Sequence, residues 1–165
     1  MQWLEVAKSL IGTREVPGAA NNPKIMGWGN ALGARILGIA YSADSVPWCG
    51  LFAAWCVHQA GLKPPAIAIR AKEWAKFGTA LPLDKTPPLG AIAVFTRDGG
   101  GHVGFVVAVH SNGDLDILGG NQGDAVNVRR FPRTRLSAFR WPTGVPVGKA
   151  APRARGSTPS TTGEG

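Results

Sequence analysis

The sequence predicts an α+β fold in which helices come first and an antiparallel sheet follows. Before residue 78 the apolar residues recur at helical spacing, as in the run Trp3, Val6, Ala7, Leu10 and Ile11. From residue 81 onwards, short runs rich in β-branched residues alternate with glycine-rich turns. Such a change of periodicity along one chain is typical of an α+β domain, and 165 residues suffice for one hydrophobic core.

Four helices are predicted in the first half of the chain. The first covers residues 3–11, and Asn22-Pro23 marks the start of the second, which has Asn22 as N-cap and continues through Trp28. The third begins near Cys49 and is apolar on all sides, which is typical of a buried helix. A fourth is predicted around residues 68–77. We expect the cysteine helix, as the most apolar one, to pack across the sheet.

The strand candidates are 91–95, 102–109, 115–118, 125–129 and 139–142, the last as an edge strand. Glycine-rich turns at Asp98–Gly101 and Ser111–Asp114 make the first three a meander of hairpins. Residues 144–165 are rich in Pro, Gly, Ser, Thr and Ala, so a disordered basic tail is expected after a domain of residues 1–143.

The chain is strongly basic, with a formal charge of +8 and a pI near 10.2. This charge favours polyanionic surroundings, such as nucleic acid, anionic lipid or an anionic wall polymer. The late arginines fit either a solvated face or a binding patch. The apolar runs are too short for a membrane span, and Met1–Glu5 does not have the pattern of a Sec signal. We expect a monomer.

Cys49 is the candidate nucleophile. It follows Pro47-Trp48 and opens the third predicted helix, where backbone N–H groups have no intrahelical partner. Their partial positive charge is expected to favour the thiolate and to lower the pKa of the thiol. The other cysteine, Cys56, lies about 10.5 Å further along the same helix, too far for a disulfide, and is expected to be a packing residue.

A nucleophilic cysteine needs a base, and the chain has 3 histidines. His58 follows Cys49 on the same helix with a rotation of about 180°, so it faces away. His110 ends the long strand, about 26 Å from His102. His102 opens that strand directly after three glycines, which allow close approach of other groups, and it is the preferred base.

A third group should orient the imidazole ring. Antiparallel pairing of strands 102–109 and 115–118 brings the end of the second strand near His102. The side-chain amide of Asn121 or Gln122 could then accept the proton of the ring nitrogen that faces away from the thiol. We prefer Asn121, and Asp116 on the strand itself is the competing candidate.

Three motifs in this order resemble the papain-like cell-wall hydrolases of the CHAP and NlpC/P60 superfamily. They are P-W-C-G-L-F at 47–52, G-H-V-G-F-V at 101–106 and L-G-G-N-Q at 118–122. The resemblance implies a papain-like fold in which Cys49 is the nucleophile, His102 the base and Asn121 the third member. It also implies cleavage of an amide bond of peptidoglycan, as an amidase or an endopeptidase, without a cofactor.

We expect Tyr41, Trp48 and Gln122 to bind the substrate, with Tyr41 as a further donor to the oxyanion. Calcium-binding CHAP enzymes carry several Asp residues before the cysteine, whereas this chain has Asp44 alone, so no metal is expected. Many members also carry Glu two residues before the Asn, where this chain has Gly119. Delivery to the wall is expected through a holin, a virion or a secretion system.

Two alternatives differ in class. A non-catalytic relative could serve as a wall-binding or virion structural protein and would keep an inert cysteine. A basic nucleic-acid-binding module would need aromatic residues between arginines on one exposed face. Because the tryptophans instead occupy apolar-face positions or flank Cys49, we expect no specific nucleic acid as a partner and rank the hydrolase first.

Overall fold

The computed structural model describes residues 1–18, 20–97 and 99–161. The described helices are α1 (Gln2–Ser9), α2 (Pro23–Leu37), α3 (Cys49–Gln59) and two 3₁₀ helices, Ala71–Lys76 and Arg133–Arg135. The described strands are β1 (Thr79–Leu81), β2 (Ile92–Arg97), β3 (Gly100–Val109), β4 (Leu115–Gly119), β5 (Asn127–Phe131) and β6 (Leu136–Trp141).

The strands form one six-stranded sheet in the order β1-β6-β2-β3-β4-β5, with antiparallel pairing throughout. The β2–β3 hairpin pairs Arg97 with Gly100, and β4 then returns beside β3 with Leu118 opposite Phe105. The predicted α+β class and the antiparallel sheet are confirmed. Asp98, which belongs to the predicted hairpin turn, lies outside the described residues.

Helix α3 packs on the sheet, as its apolar sequence predicts. Leu51 and Phe52 are completely buried, and the Phe52 ring lies 6.3 Å from that of Phe105 in β3. The opposite side of α3 is covered by α2, where Trp28 lies 5.7 Å from Phe52. A helix enclosed by a sheet and another helix needs apolar residues all round, and this arrangement holds Cys49 at the edge of the core.

Three elements differ from the predictions. Strand β6 lies inside the sheet, because the short strand β1 pairs with its outer side. The fourth predicted helix is reduced to the 3₁₀ turn Ala71–Lys76. Helix α2 continues to Leu37 through a kink at Gly33, whose φ of 79° is outside the helical region.

The segment after residue 144 also differs from the disordered tail that its composition predicts. Val109 of β3 donates its N–H to Pro152 and accepts from Ala154, and Arg130 of β5 does the same with Pro159 and Thr161. Strand edges and strand ends carry N–H and C=O groups that need partners, and a chain without large apolar residues can supply them. Residues 162–165 of the predicted tail lie outside the described residues.

The late arginines largely hold the structure together. Arg130 pairs with Asp114 at 3.0 Å, Arg135 donates to the carbonyl of Thr96, and Arg140 donates to those of Phe77 and Gly78. These guanidinium groups therefore do not form a free basic face. Within the described residues, no helix has the length and apolar character to cross a membrane.

Candidate active site

Cys49 is the first residue of α3, and the loop before it is tied to its neighbours. The buried carboxylate of Asp44 accepts the backbone N–H groups of Val16, at 3.0 Å, and Asn22, at 2.7 Å. The Tyr41 hydroxyl donates to the carbonyl of Val46 at 3.1 Å. These contacts fix the path of residues 41–47 and thereby the position at which the cysteine enters the helix.

Burial raises the pKa of the Cys49 thiol above its ordinary value. The N–H groups of Val103, Gly50 and Cys49 itself act in the opposite sense, as does the positive charge of Arg97. The sequence predicted a lowered pKa from the helix terminus, and this direction is wrong because desolvation outweighs the N–H groups. The nucleophile therefore rests as a thiol and needs a base to take its proton.

His102 belongs to the start of β3, the part of this strand that contacts Cys49. Its neighbour Val103 directs its backbone N–H to the sulfur of Cys49, which brings the start of β3 against the start of α3. The imidazole is completely buried and stacks on Phe131 with ring centroids 5.0 Å apart and planes 13° apart. Stacking on this aromatic ring fixes the plane of the imidazole.

Gln122 holds the far side of the imidazole. Its Oε1 lies 2.9 Å from Nε2 of His102. Its amide nitrogen faces three acceptors, the carbonyls of Ile117 at 3.1 Å and Asn127 at 2.9 Å and the Oδ1 of Asn127 at 3.0 Å. Since these acceptors require the NH₂ end of the amide, Oε1 must be the atom at His102.

This arrangement selects one tautomer of His102. An amide oxygen can only accept, so Nε2 carries the proton and donates it to Gln122. In the neutral ring the lone pair is then on Nδ1, the nitrogen that could act as a base. Asn127 strengthens the arrangement, because its Nδ2 donates to the backbone carbonyl of Gln122 at 2.7 Å.

Gly119 leaves the space that Gln122 occupies. A Cβ atom at this position would lie 2.4 Å from Oε1 of Gln122 and 3.2 Å from Nε2 of His102. Real Cβ atoms do not come within 3.0 Å of another heavy atom, so a side chain here would displace the amide. The glycine that departs from the pattern of many CHAP members is thus required by this hydrogen bond.

The third member predicted from the sequence, Asn121, does not make this contact. Its side chain is buried, but its Oδ1 has no hydrogen-bond partner among the described residues, so it does not accept a proton from His102. Asn121 has a φ of 59°, and this turn brings Gln122 instead of Asn121 to the imidazole. Asp116, the competing candidate, binds His110 and Thr158.

The three predicted substrate-binding residues lie below the surface. Trp48 is completely buried and donates its indole N–H to Glu15 at 2.8 Å. Gln122 is also completely buried, behind His102, so its position fits an orienting role and leaves no surface for a substrate. Tyr41 is buried too, and its hydroxyl proton is engaged by Val46, which supports the loop.

A cleft of about 330 Å³ opens at Cys49. Its lining is Pro47, Cys49, Ile69, Arg70, Ala71, Lys72, Arg97, Gly99, Gly100 and Gly101. Cys49 therefore lines a space in which a peptide segment could lie, and the 3₁₀ helix and the β2–β3 hairpin form most of the remaining lining. Within the described part of the chain, no cluster of three or more His, Cys, Asp and Glu residues could hold a metal ion.

Comparison with known protein families identifies a domain in this chain. A family model described as CHAP domain matches residues 41–121, a stretch that begins at Tyr41 and includes both Cys49 and His102. It ends one residue before Gln122. Neither the curated proteins nor the solved structures contain a significant match to this chain.

Proposed function

We propose that the protein hydrolyses an amide bond of peptidoglycan with Cys49 as the nucleophile and His102 as the base, because residues 41–121 match the CHAP domain family model. A CHAP domain implies a peptidoglycan hydrolase, with the cell wall as its place of action. The finer assignment, an amidase or a stem or cross-bridge endopeptidase, is part of the proposal.

In the first half of the reaction, Nδ1 of His102 takes the proton from the Cys49 thiol as the sulfur attacks the amide carbonyl carbon. The electron pair of the carbonyl moves to its oxygen, and the backbone N–H of Cys49 stabilises the resulting oxyanion. When the carbonyl re-forms, the C–N bond breaks and the leaving nitrogen receives the proton from His102. The products of this half are an amine and a thioester on Cys49.

In the second half, His102 removes a proton from a water molecule, which attacks the thioester carbonyl. Collapse of the second oxyanion breaks the C–S bond, and the sulfur recovers its proton from His102. The net reaction consumes one amide and one water and yields one amine and one carboxylic acid. The balance needs no redox partner.

Gln122 has the positioning role that the sequence interpretation gave to Asn121. The observation that carries the proposal is the hydrogen bond from Nε2 of His102 to Oε1 of Gln122, because it keeps Nδ1 unprotonated in the neutral ring. It also stabilises the imidazolium that forms after proton transfer, since an acceptor on Nε2 is favourable to the charged ring.

The alanine variants of the two reacting residues test the proposal. Purified peptidoglycan is incubated with the parent protein, Cys49→Ala, His102→Ala and Cys56→Ala, and the released fragments are separated and weighed. We expect fragments from the parent and from Cys56→Ala, because Cys56 is a buried packing residue of the same helix. Folded Cys49→Ala or His102→Ala protein that releases fragments at the parental rate would refute the mechanism.

A further inference from the structure

One flank of the Cys49 cleft is cationic. Arg70, Lys72 and Arg97 all line the same 330 Å³ space as the thiol, and the described lining contains no acidic residue. Arg70 and Lys72 come from the 3₁₀ helix and its N-cap, whereas Arg97 ends β2. Two separate elements therefore bring positive charge to the cleft that Cys49 lines.

The glycine run before His102 makes room for two of these side chains. An added Cβ at Gly100 would lie 3.9 Å from Nε and from one terminal nitrogen of Arg97. At Gly101 an added Cβ would lie 3.3 Å from Cγ of Lys72. The guanidinium and the lysine stem thus lie directly along the backbone that leads into the base.

Within the described residues, the fold does not use these charges. Among the residues that the structure describes, the side chains of Arg70, Lys72 and Arg97 form neither an ion pair nor a hydrogen bond. Arg130 and Arg140 differ, because both are bound to carboxylate or carbonyl oxygens. Cations that are exposed and uncompensated beside a nucleophile raise the local concentration of anionic groups.

We propose that Arg97, together with Arg70 and Lys72, binds a free carboxylate of the peptide substrate next to the scissile amide. The inference rests on the proposed hydrolysis and adds the substrate class: amide-linked peptides with an ionised carboxyl group close to the cleaved bond. A guanidinium and an ammonium on one flank match a planar anion that can accept from two donors. A peptide with a carboxamide at this place would lose the charge and one acceptor.

Arg97 also acts on the thiol, because its positive charge lowers the pKa of Cys49 against the effect of burial. A substitution of Arg97 therefore changes the cleavage rate of every substrate through the reactivity of Cys49. It changes the binding of the carboxylate substrate alone. A pair of substrates that differ in this one group separates the two effects, since the ratio of their rates cancels the change at the thiol.

The test uses two muropeptides of the same sequence, one with a free carboxylate and one with a carboxamide beside the cleaved bond. For the parent we expect kcat/KM to be about tenfold higher for the carboxylate form, since a hydrogen bond to a charged group inside a cleft is worth at least roughly this factor. In Arg97→Gln this ratio should fall to about two, mainly through a higher KM for the carboxylate form.

Arg35→Gln is the matched control. Arg35 lines a different cavity with His58 and Lys63, at the opposite end of α3 from Cys49, and this variant should keep the parental ratio. A ratio of about one in the parent, or an unchanged ratio in Arg97→Gln with Arg70→Gln and Lys72→Gln, would overturn the carboxylate site while leaving hydrolysis established. Absence of cleavage of either muropeptide by the parent, with peptidoglycan also left intact, would instead count against the proposed function.

A third outcome is a loss of activity on intact walls alone. Arg97→Gln could cleave intact walls more slowly than the parent but cleave both soluble muropeptides at the parental rates. The cations would then attract the anionic wall polymer without binding one particular carboxylate. That result would also overturn the carboxylate site. Repeating the wall assay at high salt identifies this case, because screening reduces long-range attraction between exposed charges.

Discussion

Replacement of Gln122 by methionine tests the orienting hydrogen bond of the candidate site. Methionine has a similar length and fills the same buried space, but it offers no acceptor to Nε2 of His102. Two effects are expected. The neutral ring is no longer held as the Nε2–H tautomer, and the imidazolium that forms during attack has lost its acceptor.

The magnitude follows from the type of bond that is removed. A hydrogen bond to a charged group contributes about 1.5–3 kcal/mol, and each 1.36 kcal/mol of activation free energy is about tenfold in rate. The kcat of Gln122→Met should therefore fall roughly 10- to 150-fold with little change in KM. Stability should fall as well, by about 1–3 kcal/mol for each buried polar group left without a partner.

The assay is the rate of muropeptide hydrolysis across pH, with thermal unfolding of each variant to confirm a folded protein. Asn121→Gly is the comparison variant, because glycine accepts the φ of 59° found at this position. We expect Asn121→Gly to keep kcat within a few-fold of the parent. A folded Gln122→Met at the parental rate, together with an inactive Asn121→Gly, would return the orienting role to Asn121.

Two predictions concern stability. Gly120→Ala should lower the free energy of unfolding by about 1–3 kcal/mol, because the added Cβ would lie 2.6 Å from Cβ of the buried Phe52. The control is Gly27→Ala, where the added Cβ has open space. Equal stabilities of the two variants in a urea titration would contradict this reasoning. Asp114→Asn should be less stable than the parent at neutral pH. Although partial burial opposes it, the N–H of Arg133 and the Arg130 guanidinium lower the pKa of Asp114 from 3.8. Its ionised form therefore stabilises the fold above this pH, and the difference should vanish as the pH falls through the lowered pKa, whereas a pH-independent difference would contradict the assignment.

The parts of the fold that local sequence determines were predictable. The apolar residues of α3 and the glycine turn before His102 are features of neighbouring residues, so the cysteine helix and the β2–β3 hairpin follow from periodicity. The choice of Cys49 and His102 as candidates rests on the same local signals. The approach of β3 to the start of α3 needs the tertiary fold, in which the backbone N–H of Val103 reaches the sulfur of Cys49.

The remaining features depend on long-range contacts. The alternation of side-chain directions along β4 could not show which amide, that of Asn121 or that of Gln122, orients His102. The positive φ of Asn121 changes the direction of the chain after the strand. The pKa of Cys49 was predicted from the helix terminus alone, although burial by the rest of the core is the larger effect. The segment after residue 144 pairs through its backbone, for which its side-chain composition carries no signal.

The most direct test of the account is digestion of peptidoglycan in water enriched in heavy oxygen, followed by mass spectrometry of the released fragments. Hydrolysis of an amide through a Cys49 thioester predicts that each cleavage adds one heavy oxygen to a new carboxyl group and exposes one new amine. Folded Cys49→Ala protein should release none of these fragments. Heavy oxygen on a sugar in place of a carboxyl group would contradict amide hydrolysis. Release of the same labelled fragments by Cys49→Ala would contradict the thioester on Cys49.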